Sequence, residues 1–111
     1  LGRVEYIKSN ELKNFAILNT GMNHLMRPSL YQAYHRIQKV KSNGGPEKLY
    51  DVVGPICESS DTLGFARKLE ELKEQDWVAI LDAGAYGRSM SNEYNLHPLP
   101  EEVVVSRGKV I

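Results

Sequence analysis

Residues 49–59 read Leu49-Tyr50-Asp51-Val52-Val53-Gly54-Pro55-Ile56-Cys57-Glu58-Ser59. The apolar, β-branched first part of this stretch predicts a buried strand over residues 49–57. Because proline has no backbone donor, Pro55 places the far end of the strand at a sheet edge or a bend. A thiol, two carboxylates and two hydroxyls follow within residues 57–61. Since a rigid strand positions the loop at its end, this strand end is the first candidate for a functional site.

Other short strand patterns recur along the chain, and turn residues separate them. An alternating run followed by an apolar run predicts a hairpin near the N-terminus, with polar residues 9–13 as its connection. The predicted strands outside residues 49–57 are 3–8, 14–19, 34–40, 77–82, 102–106 and 109–111, the last two paired across Arg107-Gly108. Many short strands with regular punctuation are typical of an all-β sandwich or barrel.

Three other segments do not follow a simple strand pattern. Pro28 suits the first turn of a helix, so residues 27–31 predict a single helical turn. Gly84 and Gly87 bracket a predicted tight turn. Residues 63–73 carry apolar residues at every third position, as a short helix does, and this pattern alone leaves helix and strand open.

The composition excludes several classes of protein. Fourteen basic residues balance fourteen acidic ones, so the chain has no electrostatic footprint for nucleic acid or an anionic membrane, and we expect neither as a partner. No apolar run approaches the roughly 18 residues of a membrane span. A single cysteine excludes an internal disulfide, and we expect a cytoplasmic protein. Because the chain starts at Leu1 without an initiator methionine or a signal peptide, we expect a piece of a longer protein.

Two further clusters carry residue types that suit ligand binding. Tyr86 lies between Gly84 and Gly87, where small neighbours would let its phenol contact a phosphate or another acceptor. Arg27 and Tyr31 are four residues apart, so one helical turn puts them on the same face, where an arginine suits a carboxylate. Plainer interpretations stay open: a turn with an exposed aromatic, a solvated arginine beside a packed tyrosine, and, for the lone cysteine, a small buried hydrophobe.

The histidines and the charged run near residue 70 predict no additional site. His24, His35 and His97 have no metal-ligand spacing, so we expect no metal and interpret all three as surface or locally bonded residues. The charges within residues 70–76 are typical of a solvated edge.

Taken in order, the clusters form a pattern that covers nearly the whole chain. Its motifs are Gly21-Met22-Asn23, Arg27-Pro28-Ser29-Leu30-Tyr31, residues 50–59 as quoted above, Asp82-Ala83-Gly84-Ala85-Tyr86-Gly87, Ser89-Met90-Ser91, Tyr94-Asn95, His97-Pro98 and Pro100-Glu101-Glu102-Val103. In this order and at these separations they resemble the C-terminal domain of the diaminopimelate decarboxylases, which are pyridoxal-phosphate-dependent enzymes with an alanine-racemase-like fold.

The resemblance implies an all-β, Greek-key sandwich or barrel-like domain over residues 1–111. It also implies an N-terminal β/α barrel, absent from this chain, that holds pyridoxal 5'-phosphate on a lysine. The implied reaction removes a carboxylate from the D-configured carbon of meso-diaminopimelate, giving L-lysine and CO2, in a homodimer whose subunits share their active sites. The fragment alone is expected to be inactive. Family members are extended over residues 63–73, and we adopt that prediction over a helix.

The resemblance also implies a role for each candidate residue. Cys57 resembles the proton donor that acts after CO2 has left, and Glu58 the residue that holds the distal amino group of the substrate. Arg27 and Tyr31 match substrate-binding positions. Tyr86 matches a tyrosine that contacts both the cofactor phosphate and the substrate.

The sequence departs from the family pattern in two ways. Asn19-Thr20 stand where the family commonly has Asp-Ala, and the chain has no identifiable cofactor lysine or glycine-rich phosphate loop. Two alternatives follow. One is a sister decarboxylase acting on ornithine or arginine, but ornithine decarboxylases usually follow the cysteine with aspartate, so Glu58-Ser59 favours diaminopimelate. The other is a non-catalytic dimerisation module.

Overall fold

The computed structural model describes residues 1–56 and 58–111, and most of its regular structure is β-strand. Its elements in chain order are β1 Gly2–Ser9, β2 Asn14–Leu18, α1 Arg27–Tyr31, β3 Ile37–Lys39, β4 Glu47–Val53, β5 Thr62–Glu70, β6 Trp77–Ile80, α2 Gly84–Ser89, a 3₁₀ helix Tyr94–Leu96, β7 Val105–Ser106 and β8 Lys109–Val110. The predicted all-β class is confirmed. None of the helices within the described residues is both long and apolar enough to cross a membrane.

Six strands form one curved sheet in the order β3-β6-β1-β2-β4-β5. β2 and β4 run parallel, with Ala16 opposite Val52, and the other neighbouring strands are antiparallel. The two edge strands, β3 and β5, lie beside each other, so the sheet curls into a nearly closed barrel. Of the two predicted forms, the barrel-like one is therefore observed.

The core fills the inside of this curved sheet. Val4, Leu18, Val52 and Val78 come from four different strands and are completely buried. Burying one such aliphatic side chain contributes about 1.5–3 kcal/mol, so the barrel interior is the main source of stability. Tyr50 is also buried, and its hydroxyl accepts the backbone N–H of Leu72 at 2.9 Å, which satisfies the one polar atom of that ring.

The prediction of an extended segment at residues 63–73 is confirmed by β5. Leu63 and Leu69 are both buried in the core. Ala66 lies between them with φ 48° and is exposed. Its N–H donates to the Asp51 carboxylate at 2.8 Å, which holds the irregular register between β4 and β5. The recurrence of apolar residues at every third position therefore does not mark a helix.

Several predicted elements differ from the structure. The strand predicted at residues 49–57 is β4 Glu47–Val53, the one predicted at 77–82 ends at Ile80, and the one predicted at 102–106 contains only Val105–Ser106. The strand predicted at residues 34–40 contains only Ile37–Lys39, because the guanidinium of Arg67 covers the ring of Tyr34 at 4.1 Å and donates to the carbonyl of His35 at 2.6 Å. These contacts hold the preceding backbone away from the ladder. The tight turn predicted at Gly84 and Gly87 is instead helix α2, entered through Gly84 at φ 61°.

The charges at residues 70–76 form a solvated edge only in part: Lys73 and Glu74 are exposed, whereas Glu70 and Asp76 lie beside the ammonium group of Lys39. Lys39 has a side chain that is only 5% exposed, and its Nζ lies 3.4 Å from a carboxylate oxygen of Asp76 and 3.9 Å from one of Glu70. The pKa of Glu70 is lowered, and the largest cause is a hydrogen bond to Ser42.

His35 does not lie on the surface. It is buried, and its Nδ1 lies 2.9 Å from the carbonyl oxygen of Leu81.

The site-bearing end of the barrel depends on a close approach of two glycines. Gly21 and Gly54 face each other so closely that a Cβ built on Gly54 would lie 2.4 Å from the Cα of Gly21. The same Cβ would lie 2.5 Å from both carboxylate oxygens of Asp61. Neither neighbour is the free end of a flexible chain, so no other residue fits at Gly54 without moving the backbone.

We expect Gly54→Ala to lower the free energy of unfolding by about 2–4 kcal/mol, because the new methyl group overlaps both Gly21 and Asp61. Gly45→Ala is the matched control: its Cβ would meet side-chain atoms and no backbone, the nearest being Oδ1 of Asn43 at 3.1 Å. The control should change stability by less than about 1 kcal/mol. Urea denaturation of the three proteins measures both effects. Equal losses for the two variants would contradict this account.

Candidate active site

A buried carboxylate, Asp61, joins the end of β4 to a turn that follows β2. Its Oδ1 accepts the N–H of Met22 and its Oδ2 accepts the N–H of Ile56, both at 2.7 Å. The carbonyl of Asp61 accepts the N–H of Gly54 at 3.0 Å. Only 2% of the residue is exposed. Both oxygens are therefore used inside the protein, and Asp61, which the sequence placed in a reactive cluster, braces the backbone of that cluster.

The local electrostatics of Asp61 oppose its ionisation. Burial is the largest effect and raises the pKa of Asp61 above its ordinary value of 3.8. The two backbone hydrogen bonds, from Met22 and Ile56, pull the pKa down, while the nearby charge of Glu58 raises it and that of His97 lowers it. The net direction is upward because removing a carboxylate from water costs more than the two bonds return.

The turn held by Asp61 spans residues 21–25, and we call it the hub turn. Two N–H groups, from His24 and Leu25, donate to the carbonyl of Gly21 at 3.0 Å each. The side chain of His24 leaves the turn: its Nε2 lies 2.7 Å from the carbonyl of Pro98, and its Nδ1 lies 2.8 Å from Oγ1 of Thr20. Since a carbonyl can only accept, Nε2 carries the proton. His24 is thus locally bonded, as predicted.

Glu58 lies on the exposed loop directly after the braced strand end. Its N–H donates to the carbonyl of Ile56 at 2.8 Å, and its carbonyl accepts the N–H of Asp61 at 3.0 Å. Its Oε1 accepts a short hydrogen bond from the hydroxyl of Tyr94. This bond and the carboxylate charge raise the pKa of Tyr94. Cys57, the predicted proton donor, lies outside the described residues, so its role stays a prediction.

Helix α1 brings the predicted substrate-binding pair next to this loop. The guanidinium carbon of Arg27 lies 5.8 Å from the centre of the Tyr31 ring, which confirms that the two side chains share a face. The hydroxyl of Ser29, on the same helix, donates to the carbonyl of Ser60 at 2.6 Å. Arg27 is partly buried and Tyr31 is 61% exposed. One hydrogen bond therefore links the helix that carries Arg27 to the loop that carries Glu58.

Tyr86 lies on α2 and is 65% exposed. The helix can come close to the hub turn because its next residue is Gly87, where a Cβ would lie 3.2 Å from the Cβ of Ala83 and 3.6 Å from Cδ1 of Leu25. Beyond α2, the N–H of Asn92 donates to the carbonyl of Asn23 at 2.8 Å. The hydrogen bond of Asn92 therefore attaches the segment that follows Tyr86 to the hub turn.

Three separate segments thus converge on the hub turn: the loop of Glu58, helix α1 and the segment from α2 to Pro98. Among the described residues, no hydrogen bond or salt bridge joins Arg27, Glu58 and Tyr86 directly to one another. They are arranged through their backbones rather than through mutual side-chain contacts. Such an arrangement leaves the Arg27 guanidinium, the Tyr86 phenol and Oε2 of Glu58 available to a ligand.

Two residues of this region received no role from the sequence. Asp61 contacts Met22 across 39 residues, and Tyr94 contacts Glu58 across 36. Tyr94-Asn95 was visible only as one motif of the resemblance. Asn19 and Thr20, which stand where the family commonly has Asp-Ala, both have hydrogen-bond partners. The side-chain oxygen of Asn19 accepts a hydrogen bond from the N–H of Arg3 at 2.8 Å, and the hydroxyl of Thr20 bonds to the ring of His24.

Comparison with known proteins shows the family of this chain. Residues 1–84 match the family described as "pyridoxal-dependent decarboxylase, C-terminal sheet domain". The chain belongs to this family of C-terminal sheet domains. The diaminopimelate decarboxylase of Haemophilus influenzae is 50% identical over 106 residues, 95% of this chain and 25% of that protein. That of Aquifex aeolicus is 44% identical over 108 residues, 97% of this chain and 26% of that protein.

The solved structures agree with these relatives. The crystal structure of diaminopimelate decarboxylase from Methanocaldococcus jannaschii in complex with L-lysine superposes with a TM-score of 0.92 at 38% identity. It covers 98% of this chain and 25% of that one. The chain thus spans about a quarter of the length of the relatives it matches.

The residues present fit part of a pyridoxal-phosphate site. The Tyr86 phenol is exposed and has no hydrogen-bond partner among the described residues, so it can donate to a phosphate oxygen. Lys39, which is buried in ion pairs with Glu70 and Asp76, is not available to hold a cofactor covalently. The residues present therefore suit a contact of Tyr86 with the cofactor phosphate.

We expect the stability difference between wild type and Asp61→Asn to shrink as pH rises from about 4 towards neutrality. Because the folded pKa of Asp61 is raised, its stabilising contribution is complete below the unfolded pKa and is lost as pH rises through the folded pKa. Asparagine does not titrate and supplies the flat reference. Urea denaturation of both proteins across this range measures the difference. A difference that grows with pH would show a lowered pKa and contradict the assignment.

Proposed function

We propose that the chain is the C-terminal part of a pyridoxal-phosphate-dependent decarboxylase that converts meso-diaminopimelate to L-lysine and CO2. The observation that carries the proposal is the placement of Glu58 and the Arg27–Tyr31 pair on two segments joined by the Ser29–Ser60 hydrogen bond. The distal end of diaminopimelate has one ammonium and one carboxylate. A carboxylate and a guanidinium on neighbouring, linked segments are the complementary residue types.

Each residue has a proposed task in this reaction. Glu58 accepts hydrogen bonds from the distal ammonium, and Arg27, with Tyr31 beside it, holds the distal carboxylate in a two-pronged contact. Tyr86 donates to the phosphate of the cofactor and borders the substrate. Cys57 returns a proton to the substrate carbon after CO2 has left, as a thiol that is mostly protonated at neutral pH can do.

The cofactor, when bound, supplies the electron sink for the bond that breaks, and the protein supplies orientation and electrostatics. The residues of this chain orient the substrate by its distal end. This choice makes chemical sense because the distal end is what separates diaminopimelate from amino acids of similar length. A substrate without the distal charges would leave Arg27 and Glu58 unpaired, which costs binding energy and so discriminates against it.

We further propose that residues 1–111 form one domain of a cytoplasmic homodimer. In this proposal an N-terminal β/α barrel carries the cofactor lysine, and Cys57 and Glu58 reach the site of the partner subunit while Tyr86 serves the site of its own. The exposure of Glu58 and of Tyr86 supports a site completed by other parts of the protein. The relatives, which are about four times as long as this chain, support a larger enzyme.

The full-length enzyme loaded with pyridoxal 5'-phosphate should release CO2 from meso-diaminopimelate at a kcat/KM at least about 100-fold above that for ornithine. This ratio corresponds to one or two lost charge-assisted hydrogen bonds. The measurement is CO2 release with each substrate at several concentrations. The 111-residue chain with added cofactor is the control and should be inactive. Preference for ornithine, or activity of the isolated chain, would contradict the proposal.

Cys57→Ala in the full-length enzyme completes this experiment. It should lower kcat by roughly 10²–10⁴, the range of a lost general acid, with the cofactor absorbance unchanged. Parallel loss of cofactor and activity would assign Cys57 a structural role instead.

A further inference from the structure

The hydroxyl of Tyr94 and the carboxylate of Glu58 meet although they are 36 residues apart in the chain. Tyr94 donates to Oε1, and the hydrogen bond and negative charge of Glu58 raise the pKa of the phenol. The phenol therefore stays protonated, and remains a donor, throughout any ordinary assay range. Oε2 of Glu58 has no hydrogen-bond partner among the residues that the structure describes.

Without Tyr94, little would hold the Glu58 side chain in one orientation. Glutamate has several rotatable bonds, and an exposed one loses rotamer freedom whenever a ligand fixes it. A side chain that is already fixed in the free protein avoids this loss on binding. The Tyr94 hydroxyl fixes one carboxylate oxygen and leaves the other to accept a new donor. A cationic ligand is the natural occupant of that second oxygen.

Tyr94 is itself held in place by its short helix. Its N–H donates to Oδ1 of Asn92 at 3.1 Å, and Asn92 donates to the hub turn through the carbonyl of Asn23. The two following residues, Asn95 and Leu96, have φ of 58° and 62°. Leu96 is 95% exposed, so no packing of its side chain compensates for this strained backbone. Strain of this kind persists where the surroundings impose it, and it often marks functional segments.

We propose that Tyr94 is a positioning residue for Glu58, which sets the selectivity of the site for a substrate with a distal ammonium. The inference rests on the proposed function of Glu58 as the ammonium ligand. Tyr94 does not contact the reacting atoms. It orients Glu58 so that Oε2 faces the ligand, and it is carried there by the hub turn that also braces the Glu58 loop.

The opposite interpretation makes a different prediction. If the Tyr94 hydroxyl only occupies the place of the ligand's ammonium in the free protein, it competes with the ligand. Removing the hydroxyl would then tighten binding. If it positions Glu58, removing it weakens binding. The sign of the change therefore separates the two.

The experiment compares Tyr94→Phe with wild type in the full-length, cofactor-loaded enzyme. We expect KM for meso-diaminopimelate to rise about tenfold, as for loss of a hydrogen bond to a charged group, while kcat changes less than about twofold. Tyr6→Phe, a half-exposed tyrosine on β1, is the matched control and should have no effect. In a Glu58→Gln background, Tyr94→Phe should add less than about twofold, because the two residues act as one unit.

A binding measurement separates this inference from the proposed function. Calorimetric titration with L-lysine, which has the ammonium and carboxylate of the distal end, should give about tenfold weaker binding to Tyr94→Phe. Binding of 6-aminohexanoate, which lacks that ammonium, should not change. Unchanged KM and unchanged lysine affinity, or tighter binding, would overturn the positioning role while leaving the decarboxylase proposal intact.

Other outcomes test the function separately. A wild type that binds L-lysine through Tyr94 but does not decarboxylate diaminopimelate would refute the proposed function and support the positioning role. A wild type that neither binds L-lysine nor acts on diaminopimelate would refute both.

Discussion

The two hydrogen bonds from backbone N–H groups to the Asp61 carboxylate are the contact on which the site end of the barrel depends. Burying a carboxylate is costly, and the raised pKa of Asp61 shows that the cost is only partly offset. The gain is geometric. The carboxylate ties the backbone at Met22 to that at Ile56, and Gly21 and Gly54 have no side chains because this carboxylate and each other's backbone fill the space. The presence of Gly21, Gly54 and Asp61 in three separate parts of the sequence thus has one physical cause.

The two hydrogen bonds to Asp61, which we call the Asp61 brace, make the hub turn the common support of the site. The loop of Glu58 is attached to the hub turn through Asp61. The segment of Tyr94 is attached through the hydrogen bond between Asn92 and Asn23, and the chain at Pro98 is attached through His24. These backbone attachments position the segments, and a supporting hydrogen bond such as that from Tyr94 to Glu58 then orients a side chain within the site. In the proposed enzyme, this lets a domain without a covalent cofactor link present fixed charges to a substrate.

Much of the fold could be predicted from hydrophobic periodicity, because β1, β2, β4 and β6 each bury one face or both in the barrel. Periodicity failed where a tertiary contact decides the local backbone. The stacking of Arg67 on Tyr34 shortens β3. In residues 63–73 apolar residues recur at every third position, as in a helix, although the segment is a strand with a bulge at Ala66. In the site, the strand end indicated Cys57 and Glu58 as candidates, but only the ordered motifs of the resemblance implied their roles. The contact between Tyr94 and Glu58 could not be predicted, since nothing local to either residue indicates the other.

Hydrogen exchange of single backbone amides, read by NMR, tests the brace most directly. In the wild type, the N–H groups of Met22 and Ile56 should exchange slowly, because each donates to the buried Asp61 carboxylate. In Asp61→Ala both should become fast together, while the amide of Ala16 in the central sheet keeps its protection. Unchanged protection of both loop amides in the variant, or equal loss at Ala16, would contradict the claim that Asp61 holds these two segments together.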